Sequence, residues 1–294
     1  MANETEYSNI VKVAAVISDG VTPALVDRIV VAPLIRYEPL PVGQSNAKLF
    51  RKDGNLTAEE VNESTVHTVD AAGQELTQTS VTATAVKLCS NCILSVEAQT
   101  FTSVTLADIS RKIAEAIARD WDDEILALFS GFTGNTVTST SVLTINDILE
   151  AVYKIRAASY GVSGGQLKGV FDFKGIFEIQ KELTASSAAH LGVPGQIELL
   201  AGIQAPNGYV GSKAGVDFYQ TSGLPTSGSD DVALVFDPQM AFGAMAAAAP
   251  VVNVNWLGGA GSAQGGYSHE VSGYFFCDVI EWNDACGCAV NSDT

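Results

Sequence analysis

TLADISRKIAEAIARDWDDEILALF, residues Thr105–Phe129, is the stretch that decides the architecture. Thr105 is a good N-cap, and Asp108 three residues on makes an acidic variant of the capping box. Leu106, Ile109, Ile113, Ile117, Trp121, Ile125 and Phe129 recur at steps of three or four, which predicts a helix with one apolar stripe. Gly131 stands where a helix stop is expected. At 1.5 Å per residue the rod is about 37 Å long. Such a rod needs a sheet or another helix to lie against. The other face, with Arg111, Lys112, Glu115, Arg119, Asp122 and Asp123, is expected to stay wet or to meet another subunit.

Outward from this helix, composition narrows the function. A chain of 294 residues buries a substantial core, as one large domain or two moderate ones. Sixteen basic against 33 acidic residues give a net charge of −17. This argues against a nucleic-acid reader, which needs cations to neutralise phosphates. Lys213 is the last basic residue, so the segment 214–294 carries acids with no Lys or Arg. The first residues, MANETEY, lack the basic and apolar regions of a signal peptide. The long uncharged run from Pro238 to Ser268 is broken by Pro250, Asn253, Asn255 and glycines, so no membrane span is expected.

Five cysteines leave three readings open. Cys89 and Cys92 form a CSNC pair, Cys286 and Cys288 lie close together, and Cys277 is upstream. A CxxC with a CxC is a possible zinc set or a source of disulfides. The stretch KLCSNCILSV reads as a strand, on which residues three apart face opposite sides, and this favours buried structural thiols.

Before the helix, residues 1–42 read as an arm with apolar runs at Ile10–Ile17 and Leu25–Val31, made extended by prolines at 37–42. Residues 43–80 turn polar, and alternation in STVHTV and TQTSVTATAVK predicts exposed strands. Their charges segregate, with Lys48, Arg51 and Lys52 first and Asp53, Glu59, Glu60, Glu63, Asp70 and Glu75 after. A ribbon with so little apolar surface is marginal alone and must rest on a neighbour. After the helix, a Thr/Ser-rich turn (133–141) leads to a second helix. Thr144 and Asp147 cap it; Ile145, Ile148, Leu149, Val152 and Ile155 form its stripe, and it stops near Gly161. QLKGVFDF reads as a strand feeding a helix capped by Asp172, with Phe173, Ile176, Phe177, Gln180 and Leu183 along it. A short helix is expected at Pro194. Strands follow at 231–237, 251–256 and 274–282.

The chemical motifs fail one by one. Gly161-Val-Ser163-Gly-Gly165 fits GxSxG, but it follows a helix and precedes a strand, the reverse of a nucleophile elbow, so a Ser163 hydrolase is only the rival reading. His67, His190 and His269 have no metal-ligand spacing. Asp122/Asp123, Glu59/Glu60 and Asp230/Asp231 read as solvated faces; neighbours on a helix do not face each other. Gly258–Gly266 lacks the GK[ST] of a phosphate loop. The sequons beginning at Asn3, Asn55 and Asn62 carry no weight without a signal peptide. Neither a catalytic residue nor a cofactor is expected.

The order of these parts resembles the major capsid protein of tailed bacteriophages of the Hong Kong 97 type. The resemblance rests on the arm, the polar ribbon, TATAVKLCSNCILSVEA leading into SRKIAEAIARDWDDEIL, then LKGVFDFKGIFEIQKEL and ALVFDPQMAFG. It implies an α+β fold with an N-terminal arm (1–42), an extended β loop (43–82) and a peripheral domain (83–141) whose spine helix is 105–130. A mainly axial domain (142–250) and returning strands (251–294) would complete it. Self-assembly into hexamers and pentamers of an icosahedral shell around double-stranded DNA would follow, within a virion assembled in the host cytoplasm. A separate scaffolding protein, a portal and a decoration protein would be partners, with DNA enclosed but not read. On this resemblance Lys48, Arg51, Lys52 and Asp53 are expected to contact the next subunit. Cys89, Cys92, Cys277, Cys286 and Cys288 become candidate thiol staples between copies. An encapsulin-like compartment shares the fold and is the alternative shell.

Overall fold

The computed structural model describes residues 4–5, 29–40, 45–53, 78–102, 104–139, 142–158, 165–187, 208–227, 230–247, 251–257 and 267–293. Outside them lie the Ile10–Ile17 run, Glu59/Glu60, His67, Ser163, the Pro194 helix, His190 and the Gly258–Gly266 run. So does the stop near Gly161.

The N-terminal half begins with β1 (Glu4–Thr5), β2 (Tyr37–Pro39), β3 (Ala47–Asp53), β4 (Gln78–Thr84) and β5 (Val86–Ser95). Helices α1 (Val96–Phe101) and α2 (Leu106–Ala127) follow, then β6 (Thr136–Thr138), α3 (Ile145–Ala158), β7 (Leu167–Phe171) and α4 (Phe173–Ser187). The remainder is strand: β8 (Tyr209–Lys213), β9 (Val216–Gln220), β10 (Thr226–Ser227), β11 (Asp230–Phe236), β12 (Phe242–Ala246), β13 (Val251–Leu257), β14 (Ser268–Glu281) and β15 (Gly287–Asp293).

The first sheet is organised by β14. One edge pairs antiparallel with β5 from Ser268↔Ser95 to Cys277↔Val86. The other edge is shared, with β13 alongside Ser268–Tyr274 and β12 alongside Cys277–Glu281. β2 adds parallel to β12, and β1 parallel to β5. Helix α2 lies across this sheet. Its capping box forms as the spacing requires: Asp108 N–H donates to Thr105 Oγ1 at 3.2 Å, and Thr105 N–H donates to Asp108 Oδ2 at 3.2 Å. Ile109, Ile113, Ile117, Trp121 and Ile125 are buried. Gly273 lets the helix approach: a Cβ there would stand 2.5 Å from Ile113 Cγ2 and 2.9 Å from Ile117 Cδ1. Beyond Ala127 the chain tightens into a 3-10 turn, Leu128–Gly131, that ends at the expected glycine.

The second sheet runs β6-β15-β11-β7-β9-β8, with β10 also on β11. Its central strand β11 reads as one apolar run because both faces are covered. Ala233 and Val235 face a core with Ile148, Val152 and Ile155 of α3 and Ile176 of α4; Val232, Leu234 and Phe236 belong to the core of α2. The two sheets are joined by four phenylalanines. Phe236 ends β11 and Phe242 opens β12 with ring centroids 5.2 Å apart, and Phe129 and Phe132 from the end of the spine pack on Phe242 at 6.3 and 5.2 Å. Between them Asp237 makes the turn, its Oδ1 accepting from Gln239 N–H at 2.9 Å.

Three local expectations differ from what is observed. The 133–141 turn contains β6, parallel to β15, anchored by buried Val137. In α3 the stripe is Ile148, Ala151, Val152 and Ile155, while Leu149 is exposed, because at 100° per residue Ala151 falls nearer the centre of the Ile148–Val152–Ile155 stripe and Leu149 falls outside it. Asp122 does not belong to the wet face of the spine, for the reason given next.

Candidate assembly surfaces

Asp122 is only 4% exposed. Its carboxylate accepts three backbone N–H bonds from the arm: Val30 to Oδ2 at 3.0 Å, and Val31 and Ala32 to Oδ1 at 2.8 and 2.6 Å. Those donors open the 3-10 turn Ala32–Leu34, which has no side-chain cap of its own and carries Pro33 at its start. The spine helix therefore supplies the cap across 90 residues of sequence. An anion at the amide end of a helical turn is favourable. Burial pushes the Asp122 carboxyl above its ordinary value, and the three N–H bonds pull the other way. A neighbouring tie is Trp121 Nε1, which donates to Tyr37 Oη at 2.7 Å. Burial raises that phenol to about 12, so it stays protonated.

Strands β3 and β4 form a two-stranded ribbon, register Ala47↔Thr84 to Asp53↔Gln78. Its root is a small core of Phe50 and Ala83 with Leu40 and Met245. Phe50 lies over Gly243, where a Cβ would approach its ring at 2.9 Å, and 5.9 Å from Trp282. Strand alternation then divides the four residues singled out in the ribbon. Lys48 and Lys52 share the Phe50 side and turn to their own chain: Lys48 Nζ is 2.6 Å from Glu38 Oε2, and Lys52 Nζ donates to Asn283 Oδ1 at 2.5 Å. Arg51 and Asp53 lie on the opposite side with Leu49, all three exposed. The spacing of Lys48, Phe50 and Lys52 by two was the signal for this division.

None of the five cysteines is in a disulfide. Cys277, Cys286 and Cys288 are buried, Cys92 is half-buried toward the spine core and Cys89 is exposed on the other side of β5. Burial raises the thiols of Cys277 to about 12 and Cys288 to about 11, which makes them inert small apolar groups. Among the described residues no group of three His, Cys, Asp or Glu side chains is placed to hold a metal. His269 packs edge-on against Trp256 at 4.6 Å. A small, partly open cleft lies between the arm, the spine and the 221–223 turn, lined by Ile29, Arg119, Asp122, Asp123, Leu126, Thr221 and Gly223. Among the described residues no helix is long and apolar enough to cross a membrane.

No protein-family model matches the chain, and no curated protein matches it. Solved structures do. The capsid of the cyanophage P-SCSP1u superposes with a TM-score of 0.66 at 13% identity, covering 94% of this chain and 91% of that one. The structure from Mycobacterium phage Che8 gives 0.64 at 15% identity, covering 92% and 94%. The SrpI encapsulin of Synechococcus elongatus gives 0.61 at 13% identity, covering 96% and 95%. With the spine across a sheet, the two-stranded ribbon and the second, helix-backed sheet all in place, the chain has the Hong Kong 97-type capsid fold.

Proposed function

We propose that this chain is the major capsid protein of a tailed bacteriophage, a non-enzymatic building block that assembles into hexamers and pentamers of an icosahedral shell enclosing double-stranded DNA. The observation that carries the reading is that the solved structures similar over nearly the whole chain are mainly phage capsids, the cyanophage capsid among them. The net charge of −17 supports it, because a container that repels phosphate holds DNA without gripping it. In this reading residues 43–82 form the extended loop, 83–141 the peripheral domain, and 142–250 mainly the axial domain, with 251–294 returning. A scaffold, a portal and a decoration protein are the partners, and assembly takes place in the host cytoplasm.

Within the shell, the outward side of the ribbon, with Arg51 and Asp53, meets the adjacent subunit, and Lys48 and Lys52 stiffen the ribbon from behind. Of the thiol staples, Cys89 is the one with access to a neighbour. The test is expression of the chain alone and with its phage's scaffold, followed by negative-stain microscopy. Closed shells support the reading, and Arg51→Glu is expected to reduce their yield. Small oligomers under every condition overturn it.

A second reading is favoured by the 96% coverage against the SrpI encapsulin, which makes an encapsulin-like compartment the alternative. The contents of native particles separate the two: DNA supports the capsid and protein cargo supports the compartment.

A further inference from the structure

We propose that Glu281 and Asp284 form a proton-sharing latch on the junction between the two sheets, so that the stiffness of this junction depends on pH. The latch belongs to the fold itself and does not rest on the shell reading.

Among the described residues the chain crosses between the two sheets three times. Residues 128–135 lead from the spine to β6, residues 237–241 from β11 to β12, and residues 282–286 from β14 to β15. The crossings lie side by side and are bonded to one another. Asp237 N–H donates to the Cys286 carbonyl at 2.9 Å, Trp282 N–H to the Ala241 carbonyl at 2.9 Å, and Ala289 N–H to the Asn135 carbonyl at 3.0 Å. Asn135 Nδ2 also donates to the carbonyls of Ala285 and Gly287, each at 3.3 Å. Loosening one crossing therefore loosens the hold of one sheet on the other.

Glu281 and Asp284 meet inside this bundle. Gly134 N–H donates to Asp284 Oδ2 at 2.8 Å, while Asp284 Oδ1 is buried and accepts no hydrogen bond from the described residues. The Glu281 carboxyl lies within hydrogen-bonding reach of Asp284. It is pressed on the same turn, where a Cβ on Gly131 would stand 2.8 Å from Glu281 Oε2. When both groups are ionised neither has a proton to offer, and two negative charges face each other. One proton shared between them supplies the missing donor and removes the repulsion.

The surrounding elements offer no base in its place. The 128–135 turn has no titratable residue. The 237–241 corner brings Asp237, a third acid, and Cys286 accepts from Asn283 Nδ2 at 2.9 Å. From the ribbon, Lys52, next to Asp53, donates to Asn283 Oδ1 at 2.5 Å. From α3, Lys154 donates to the Thr136 carbonyl and pairs with Glu150, and Arg156 lies against Gly215. Burial and the Asp284 charge push the Glu281 carboxyl above its ordinary value. The closed junction thus binds a proton more tightly than an opened one does. It tightens as pH falls through the raised folded value toward the ordinary glutamate range, and is loosest above the folded value.

Hydrogen exchange of the full-length chain tests the latch, read as protection factors at Gly134, Asp237 and Ala289 between pH 7 and 5. Wild-type protection is expected to rise by at least about threefold over this range. Glu281→Gln, whose NH2 is a permanent donor to Asp284, is expected to be well protected at pH 7 and to show no rise. Asp284→Asn keeps an oxygen for Gly134 and offers an NH2 to Glu281, so its profile is expected to be equally flat; circular dichroism checks that both variants fold. Glu124→Gln, which removes another buried acid on the spine, is expected to keep the wild-type profile. Flat protection in the wild type overturns the latch. A rise that persists in both Glu281→Gln and Asp284→Asn, or one that Glu124→Gln abolishes as well, places the proton elsewhere and overturns it too.

Discussion

Replacing Asp122 isolates the contact that holds the arm to the spine. In Asp122→Ala, the N–H groups of Val30, Val31 and Ala32 lose the buried carboxylate that accepts from all three. A buried backbone donor left without a partner costs about 1–3 kcal/mol. Three of them, offset by no longer burying a carboxylate, give a net loss of about 3–5 kcal/mol. Asp122→Asn separates the terms. Its amide oxygen still serves Val31 and Ala32 from the Oδ1 position, but its NH2 faces the Val30 N–H, so the loss is about 1–2 kcal/mol. Urea denaturation monitored by tryptophan fluorescence reads the global effect, and hydrogen exchange at residues 30–32 reads the local one. The expected order is wild type, Asn, then Ala, with exchange at Val30 rising first. Equal stability of all three proteins, with unchanged exchange at these amides, would refute the long-range cap.

Other outcomes follow from the same geometry. Phe50→Ala empties the core at the root of the ribbon and costs up to about 3–5 kcal/mol if the ribbon and its sheet unfold together; limited trypsin digestion should cut at Arg51 and Lys52 well before the rest of the chain. Burial raises the carboxyls of Asp122, Glu124, Asp231 and Glu281 in the folded state. With folded values above unfolded ones, the folded state takes up protons first, so stability from these groups grows as pH falls through the folded values toward the ordinary carboxylate range. Calorimetry at constant ionic strength should show Tm rising as pH is lowered from 7 toward about 5. A maleimide should label Cys89 in the native protein and Cys277 and Cys288 only after unfolding; equal labelling of all three would contradict their burial.

The spine helix was legible because its evidence is local: one stripe, one capping box and one terminal glycine lie within the same stretch of chain. β11 was legible as a strand from its VALVF run, but that both its faces are covered depends on α2, α3 and α4 and could not be read locally. The role of Asp122 was not legible, because nothing near it in sequence distinguishes it from Asp123; its partners are the amides of residues 30–32, which carry no side-chain signature. β6 escaped notice since one buried valine among threonines gives no period to read. In the ribbon, clustering suggested that Lys48, Arg51 and Lys52 act together, whereas the two-residue repeat of a strand divides them around Phe50. Exposure of Phe173 and Phe177 was hidden by the helical pattern itself, which assigns apolar residues inward and gives no sign of a second apolar side.

Cryo-electron microscopy of particles formed by the purified full-length chain tests the central claim most directly. Closed icosahedral shells whose subunits place the α2 spine across the β5–β14 sheet, with the ribbon over an adjacent copy, are the expected result. A monomer or small open oligomer that stays so with and without scaffold, across concentration and pH, would contradict it.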